Sequence, residues 1–280
     1  MSRMDDRKNK AGAPGGASAA RAVDESHDAA APRRRWPRRL AIVLVALAVL
    51  AFVGAGAFVV YASDYYRSTE AAQQSMDPTA AVPIEQGNGF VAFGDPAAET
   101  GIVFYPGAKV EYTAYAPLMR DLAERGYLAV IVEMPFNFAF FDIVAADRVR
   151  AAFPAVDRWW VGGHSLGGSM AAQYAVGHAS DLEGLLLCGA YTASDLSGSS
   201  LDVLVVYGSE DGVLDRGKLA DSTSLMPGDA RIAVIEGGNH AYFGSYGEQD
   251  GDGEAAISPE EQQAAAADLA DERLRAHEGS

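Results

Sequence analysis

The chain has 280 residues, with 22 Lys and Arg against 38 Asp and Glu, a formal net charge of −16. A body of that sign repels a phosphate backbone, which excludes nucleic acid as a partner. One cysteine, Cys188, excludes an internal disulfide, and the sequence carries neither a phosphate-cradling glycine loop nor a paired-histidine metal spacing, so no cofactor and no metal is expected.

Residues 1–39 hold ten Lys and Arg against five Asp and Glu. Ala, Gly, Pro, Ser and charged residues fill this basic head, which cannot bury enough apolar surface to offset its ordering entropy and is expected to be disordered. Leu40 to Ala62 has no charged residue. At 1.5 Å per residue this run is long enough to cross a hydrocarbon core of about 30 Å. Arg33-Arg34-Arg35-Trp36-Pro37-Arg38-Arg39 precedes it and Asp64 follows. The positive-inside bias therefore predicts a cytoplasmic N-terminus and a domain outside the cell membrane. Trp36, Tyr61, Tyr65 and Tyr66 fit interfacial anchoring. The rival reading is a signal peptide cleaved at Ala55-Gly56-Ala57, but its charged region would be unusually long. Residues 63–84 are polar, with Pro78 and Pro83, and read as a stalk or linker.

From residue 85 onward apolar runs alternate with helical stretches. Strands are expected at Phe90–Phe93, Gly101–Tyr105, Leu128–Val132, Trp159–Val161, Leu185–Cys188, Val203–Tyr207 and Arg231–Ile235. Helices are expected at Tyr112–Arg125, Phe138–Phe153, from Ser169 to about His178, at Gly217–Leu225 and at Pro259–Arg275. This alternation predicts one α/β domain over 85–280, with a mostly parallel, doubly wound sheet covered on both faces. Cys188 lies in an apolar run and reads as a buried strand thiol.

Between the strand ending at Val161 and the helix that follows stands Gly163-His164-Ser165-Leu166-Gly167, a G-x-S-x-G. Such a turn holds a serine hydroxyl clear of the backbone, and it needs glycines where a Cβ would clash. Ligands of such sheets bind beyond the C-terminal strand ends. After Val203–Tyr207 comes Gly208-Ser209-Glu210-Asp211, and after Arg231–Ile235 comes Glu236-Gly237-Gly238-Asn239-His240. A serine is a weak nucleophile at neutral pH, so a histidine must take its proton and a carboxylate must orient that histidine. Ser165, Asp211 and His240 are the candidates. The oxyanion would be held by the N–H of Leu166 and by that of Ala108, in the loop Tyr105-Pro106-Gly107-Ala108-Lys109. Phe136, with Phe138, Phe140 and Phe141, is a candidate substrate wall, as is Tyr242 beside Phe243; ordinary core packing is the other reading of the phenylalanines.

With these residues in hand, the chain from about Phe90 onward resembles the α/β-hydrolases, in particular small bacterial members of the "fold-5" type, distantly similar to dienelactone hydrolases. The resemblance rests on the loop from Phe104 to Val110, on Gly162 to Gly168, on Gly208 to Asp211 and on Gly237 to Gly244. It implies hydrolysis of an ester-like bond through an acyl-enzyme. Two departures stand out: Tyr-Pro-Gly replaces the His-Gly of many relatives, and the nucleophile position is serine where dienelactone hydrolases have cysteine. Only Tyr191 to Ser200 separates two strands where many relatives insert a lid, so no cap domain and an open site are expected. The expected partners are a small-molecule or lipid ester and a membrane through residues 40–62. Acyl transfer to a cell-envelope lipid or peptide is the alternative reaction, and a non-catalytic binding domain on the same fold is the remaining reading.

Overall fold

The computed structural model describes residues 38–278, which divide into two units between Ala51 and Phe52. The disorder expected for residues 1–39 falls, apart from Arg38 and Arg39, outside the described residues. Helix α1 (Arg38–Ser63) contains Leu40–Ser63, a 24-residue stretch long and apolar enough to cross a membrane, with none of its most apolar window buried.

The polar stretch 63–84, expected to be a stalk or linker, packs on the domain. Tyr66 N–H donates to Lys109 O at 2.8 Å, and Glu111 N–H donates back to Tyr66 O at 2.9 Å. The N–H and hydroxyl of Ser68 both reach the Glu111 carboxylate, at 2.9 and 3.1 Å. A short helix α2 (Glu70–Gln74) follows, capped by Thr69, and Ala72 and Val82 are fully buried. Two small apolar anchors in a polar run carry no periodicity, which is why the packing does not register in the sequence.

The body is an eight-stranded sheet. In chain order the elements are β1 (Ile84–Gly87), β2 (Phe90–Phe93), β3 (Thr100–Tyr105), α3 (Ala116–Glu124), β4 (Leu128–Val132), α4 (Ala145–Ala152), β5 (Arg158–His164), α5 (Leu166–His178), β6 (Gly184–Cys188), β7 (Asp202–Gly208), α6 (Arg216–Ser222), β8 (Arg231–Ile235) and α7 (Pro259–Glu278). The strand order is β1-β2-β4-β3-β5-β6-β7-β8, antiparallel for β1-β2 and β2-β4 and parallel from β4 onward.

Period-2 alternation splits the core into two layers. Val103 and Tyr105 of β3 and Val203 and Val205 of β7 point to the layer with α4, α5 and α6; Ile102, Phe104, Leu204 and Val206 point to the layer with α3 and α7. This is the expected doubly wound sheet. No helix stands between β6 and β7.

One helix differs from expectation. Between Pro135 and Val144 the chain makes two 3-10 turns, Pro135–Asn137 and Ala139–Phe141, and α4 begins only at Ala145. Phe136 and Asn137 adopt left-handed φ values of 56° and 58°. Aromatic and β-branched side chains lose χ1 freedom in a helix, so this run holds its helix weakly against such turns.

Candidate active site

The site is built where β5 meets α5. Ser165 sits between them at φ 53°, ψ −125°, a strained conformation for a residue with a side chain. Its N–H donates to Cys188 O at 3.0 Å, tying the turn to the end of β6. The flanking glycines are required by close approach. A Cβ on Gly167 would sit 2.2 Å from Tyr105 O, and one on Gly163 would sit 2.5 Å from the same oxygen. The Cys188 thiol beneath is fully buried, which pushes its pKa up to about 12 and leaves it protonated.

Three residues past β7, Asp211 is buried. Its Oδ1 accepts the N–H groups of Val213 and Leu214 at 2.9 and 2.7 Å. Its Oδ2 lies 2.9 Å from Nδ1 of His240, which is also buried. Nε2 of His240 is buried with no partner among the described residues, so no hydrogen bond joins it to the Ser165 hydroxyl. Catalytic hydrogen bonds are often long until substrate is bound. Ser165, Leu166 and His240 line one cavity of about 330 Å³, together with Ser169, Tyr191, Val213, Lys218 and neighbouring backbone. The structure thus brings Ser165, Asp211, His240 and Leu166 together.

Leu166 is the first residue of α5, so its N–H is among the donors that an α-helix leaves unpaired. Ala108 lies in the loop after β3, between two pinned neighbours. Gly107 N–H donates to the Tyr115 hydroxyl at 3.0 Å, and Lys109 N–H donates to Asn137 O at 2.9 Å. The Tyr115 hydroxyl is in turn 2.8 Å from His164 Nδ1.

Two other candidates lie elsewhere. Tyr242 lines a separate cavity of about 400 Å³ with Asn239 and Asp252. Phe136 lies in an aromatic cluster around Phe58 and does not line the cavity that holds Ser165. Lys109 forms an ion pair with Asp64 at 3.4 Å and stacks on the Tyr61 ring. Tyr191 and Val213 face the cavity but were not candidates; each follows a strand's C-terminal end, which is the signal that would have found them.

Asp252 also escapes sequence reasoning. Its Oδ1 accepts the N–H groups of His240 at 3.1 Å and Gly212 at 3.0 Å, and its Oδ2 accepts that of Ala241 at 2.8 Å. One carboxylate therefore clasps the Asp211 loop to the His240 loop. Gln262 of α7 holds the other side, accepting from Asn239 N–H at 2.9 Å and donating to Asn239 O at 2.7 Å. Asp252→Ala is expected to lower kcat roughly 10- to 100-fold with little change in KM, since small displacements of positioned groups cost about that much. Urea unfolding should show a loss of about 1–3 kcal/mol from the stranded donors.

His164 gives a pH prediction. Burial, and secondly the charge of the adjacent His240 ring 4.5 Å away, hold its pKa well below the usual 6.5. Above pH 6.5 both folded and unfolded chains keep this ring neutral. As pH falls below 6.5 the unfolded chain takes up a proton that the folded chain refuses, so stability is lost, by at most about 1.4 kcal/mol per pH unit. Unfolding free energies between pH 7.5 and 5 should therefore slope less steeply in His164→Gln than in the parent.

The family model of the α/β hydrolase family matches residues 101–264. No curated protein gives a significant sequence match. Among solved structures, the chain is similar to a CIB-like hydrolase from Thermoplasma acidophilum, with 16% identity over 69% of this chain and 99% of that one, TM-score 0.52. It is also similar to a membrane phospholipase A described as a bacterial virulence factor, with 14% identity over 85% of this chain and 99% of that one, TM-score 0.52. A third is Est1E from Butyrivibrio proteoclasticus, with 14% identity over 70% of this chain and all of that one, TM-score 0.50. At these identities the structures share the fold. The family match spans more than half of the chain, and the chain belongs to the α/β hydrolase family.

Proposed function

We propose that the protein is a membrane-anchored serine hydrolase that cleaves an ester bond through an acyl-enzyme. The observation that carries this reading is the buried Asp211–His240 pair, whose unpartnered Nε2 lines the same cavity as a serine on a strained elbow. In this reading Ser165 Oγ attacks the ester carbonyl and its proton passes to His240 Nε2. Asp211 Oδ2 holds the Nδ1 proton and stabilises the imidazolium. The N–H groups of Leu166 and Ala108 receive the oxyanion. His240 then returns the proton to the leaving alcohol, and a water activated by the same ring releases the acid.

The span Leu40–Ser63 would tether the domain, and the arginines before it favour an N-terminus in the cytoplasm with the domain on the opposite side. The test is hydrolysis of p-nitrophenyl esters from acetate to palmitate by the full chain in detergent. Turnover with a defined chain-length optimum is expected, and a folded sample inert across the series would overturn the reading.

A further inference from the structure

We propose that the phenylalanine loop after β4 is a bilayer-docking surface, which seats the catalytic domain on the leaflet from which α1 emerges. The proposal rests on reading α1 as membrane-spanning. The catalytic roles of Ser165, Asp211 and His240 do not enter into it.

The loop from Pro135 to Val144 is apolar where the rest of the body is acidic. Its one charged residue, Asp142, is paired with Arg148. Phe138 is buried, but Phe136, Phe140 and Phe141 remain 53%, 44% and 47% exposed, and Val144 is exposed beside them. The three exposed rings form one patch, with centroids 5.6 Å apart for Phe136–Phe141 and 4.4 Å apart for Phe140–Phe141. Contiguous exposed aromatic surface of this kind marks an interaction site.

The position of the patch selects its occupant. Phe58 of α1 packs edge-on against Phe136 and Phe141, each at 5.6 Å, and Tyr61 stacks on Phe138 at 6.3 Å. A hydrocarbon core of about 30 Å takes roughly twenty helical residues. Counted from Leu40, that distance ends near Val59. Phe58 is therefore at the hydrocarbon boundary, and rings in contact with it lie at the same depth. Just past them, Lys109 covers Tyr61 and pairs with Asp64, which places the charges one turn farther out, at headgroup level. An apolar body with a polar rim at the foot of a span is the pattern of an interfacial anchor. A second copy of the chain would have to displace lipid from this depth to reach the patch.

Docking would also act on the site. Asn137 O accepts the Lys109 N–H, so the loop is tied directly to the segment carrying Ala108. A loop seated in lipid holds that segment at the leaflet. Esters embedded in the membrane are then the substrate class at hand.

The test uses the full chain in two sets of phosphatidylcholine vesicles, one with acyl chains brominated near the headgroup, at the depth expected for the loop, and one with chains brominated near their ends, at the depth of Leu50. Phe140→Trp, Phe141→Trp and, within the span, Leu50→Trp are compared with the parent chain, whose own tryptophan emission is subtracted. The expected result is that the added emission of Leu50→Trp and of at least one loop variant falls by about twofold or more relative to unbrominated vesicles. Quenching of Leu50→Trp without quenching of either loop variant would overturn the docking and leave the anchor standing. Quenching of none of the three would overturn both.

Discussion

Replacing Ser165 with alanine is expected to lower kcat/KM for ester hydrolysis by about 10⁴-fold or more while leaving the fold intact. The two halves of that expectation have separate causes. The Ser165 backbone is held by structure that alanine keeps: its N–H still reaches Cys188 O, and the φ of 53° is as costly for alanine as for serine. The hydroxyl makes no hydrogen bond among the described residues, so no buried partner is stranded when it goes. Thermal melting should therefore move little. What is lost is the atom that forms the acyl-enzyme in the proposed mechanism. If the N–H groups of Leu166 and Ala108 form the proposed oxyanion hole, the variant keeps them, so KM should hold while kcat collapses to the residual rate that such a hole alone sustains. Steady-state kinetics on a soluble ester, with a melting curve of the same preparation, checks both halves together.

Asp211→Asn is the second large effect, with kcat expected to fall by about 10⁴-fold. The orientation of the new amide is dictated by its surroundings. The Val213 and Leu214 N–H groups both donate to the Oδ1 position, so the amide oxygen must stay there. The NH₂ then takes the Oδ2 position, 2.9 Å from His240 Nδ1, and donates to it. That donation forces the ring proton onto Nε2, where it blocks acceptance of the serine proton. The variant is isosteric and keeps every backbone contact, so a structural collapse is not expected. Ring-nitrogen NMR of His240 should show the proton on Nδ1 in the parent and on Nε2 in the variant.

Much of the sheet is legible in the sequence because parallel strands buried on both faces must be continuously apolar, as in Leu128–Val132 and Val203–Tyr207. The elbow is legible because its glycines answer to backbone collisions. Asp211 and His240 are found from a rule about strand ends. Strand β1 is hidden: Ile84–Gly87 is an edge strand with mostly exposed side chains, and Pro83 precedes it. Asp252 is hidden for another reason. It stands in the run Gln249-Asp250-Gly251-Asp252-Gly253, where composition indicates only a loop, and its importance comes from four backbone N–H groups that the fold brings to it. The phenylalanine loop reads as a helix or a substrate wall because density of aromatic residues signals burial; only the arrival of Phe58 from a distant helix gives the rings their setting.

The most direct measurement is covalent capture of the nucleophile. The full chain in detergent would be treated with a fluorophosphonate ester, weighed intact and mapped by peptide mass spectrometry. One adduct, located on Ser165 and lost in Ser165→Ala, is the expected result. A folded chain that takes up no label, or takes it on another residue, would contradict the account.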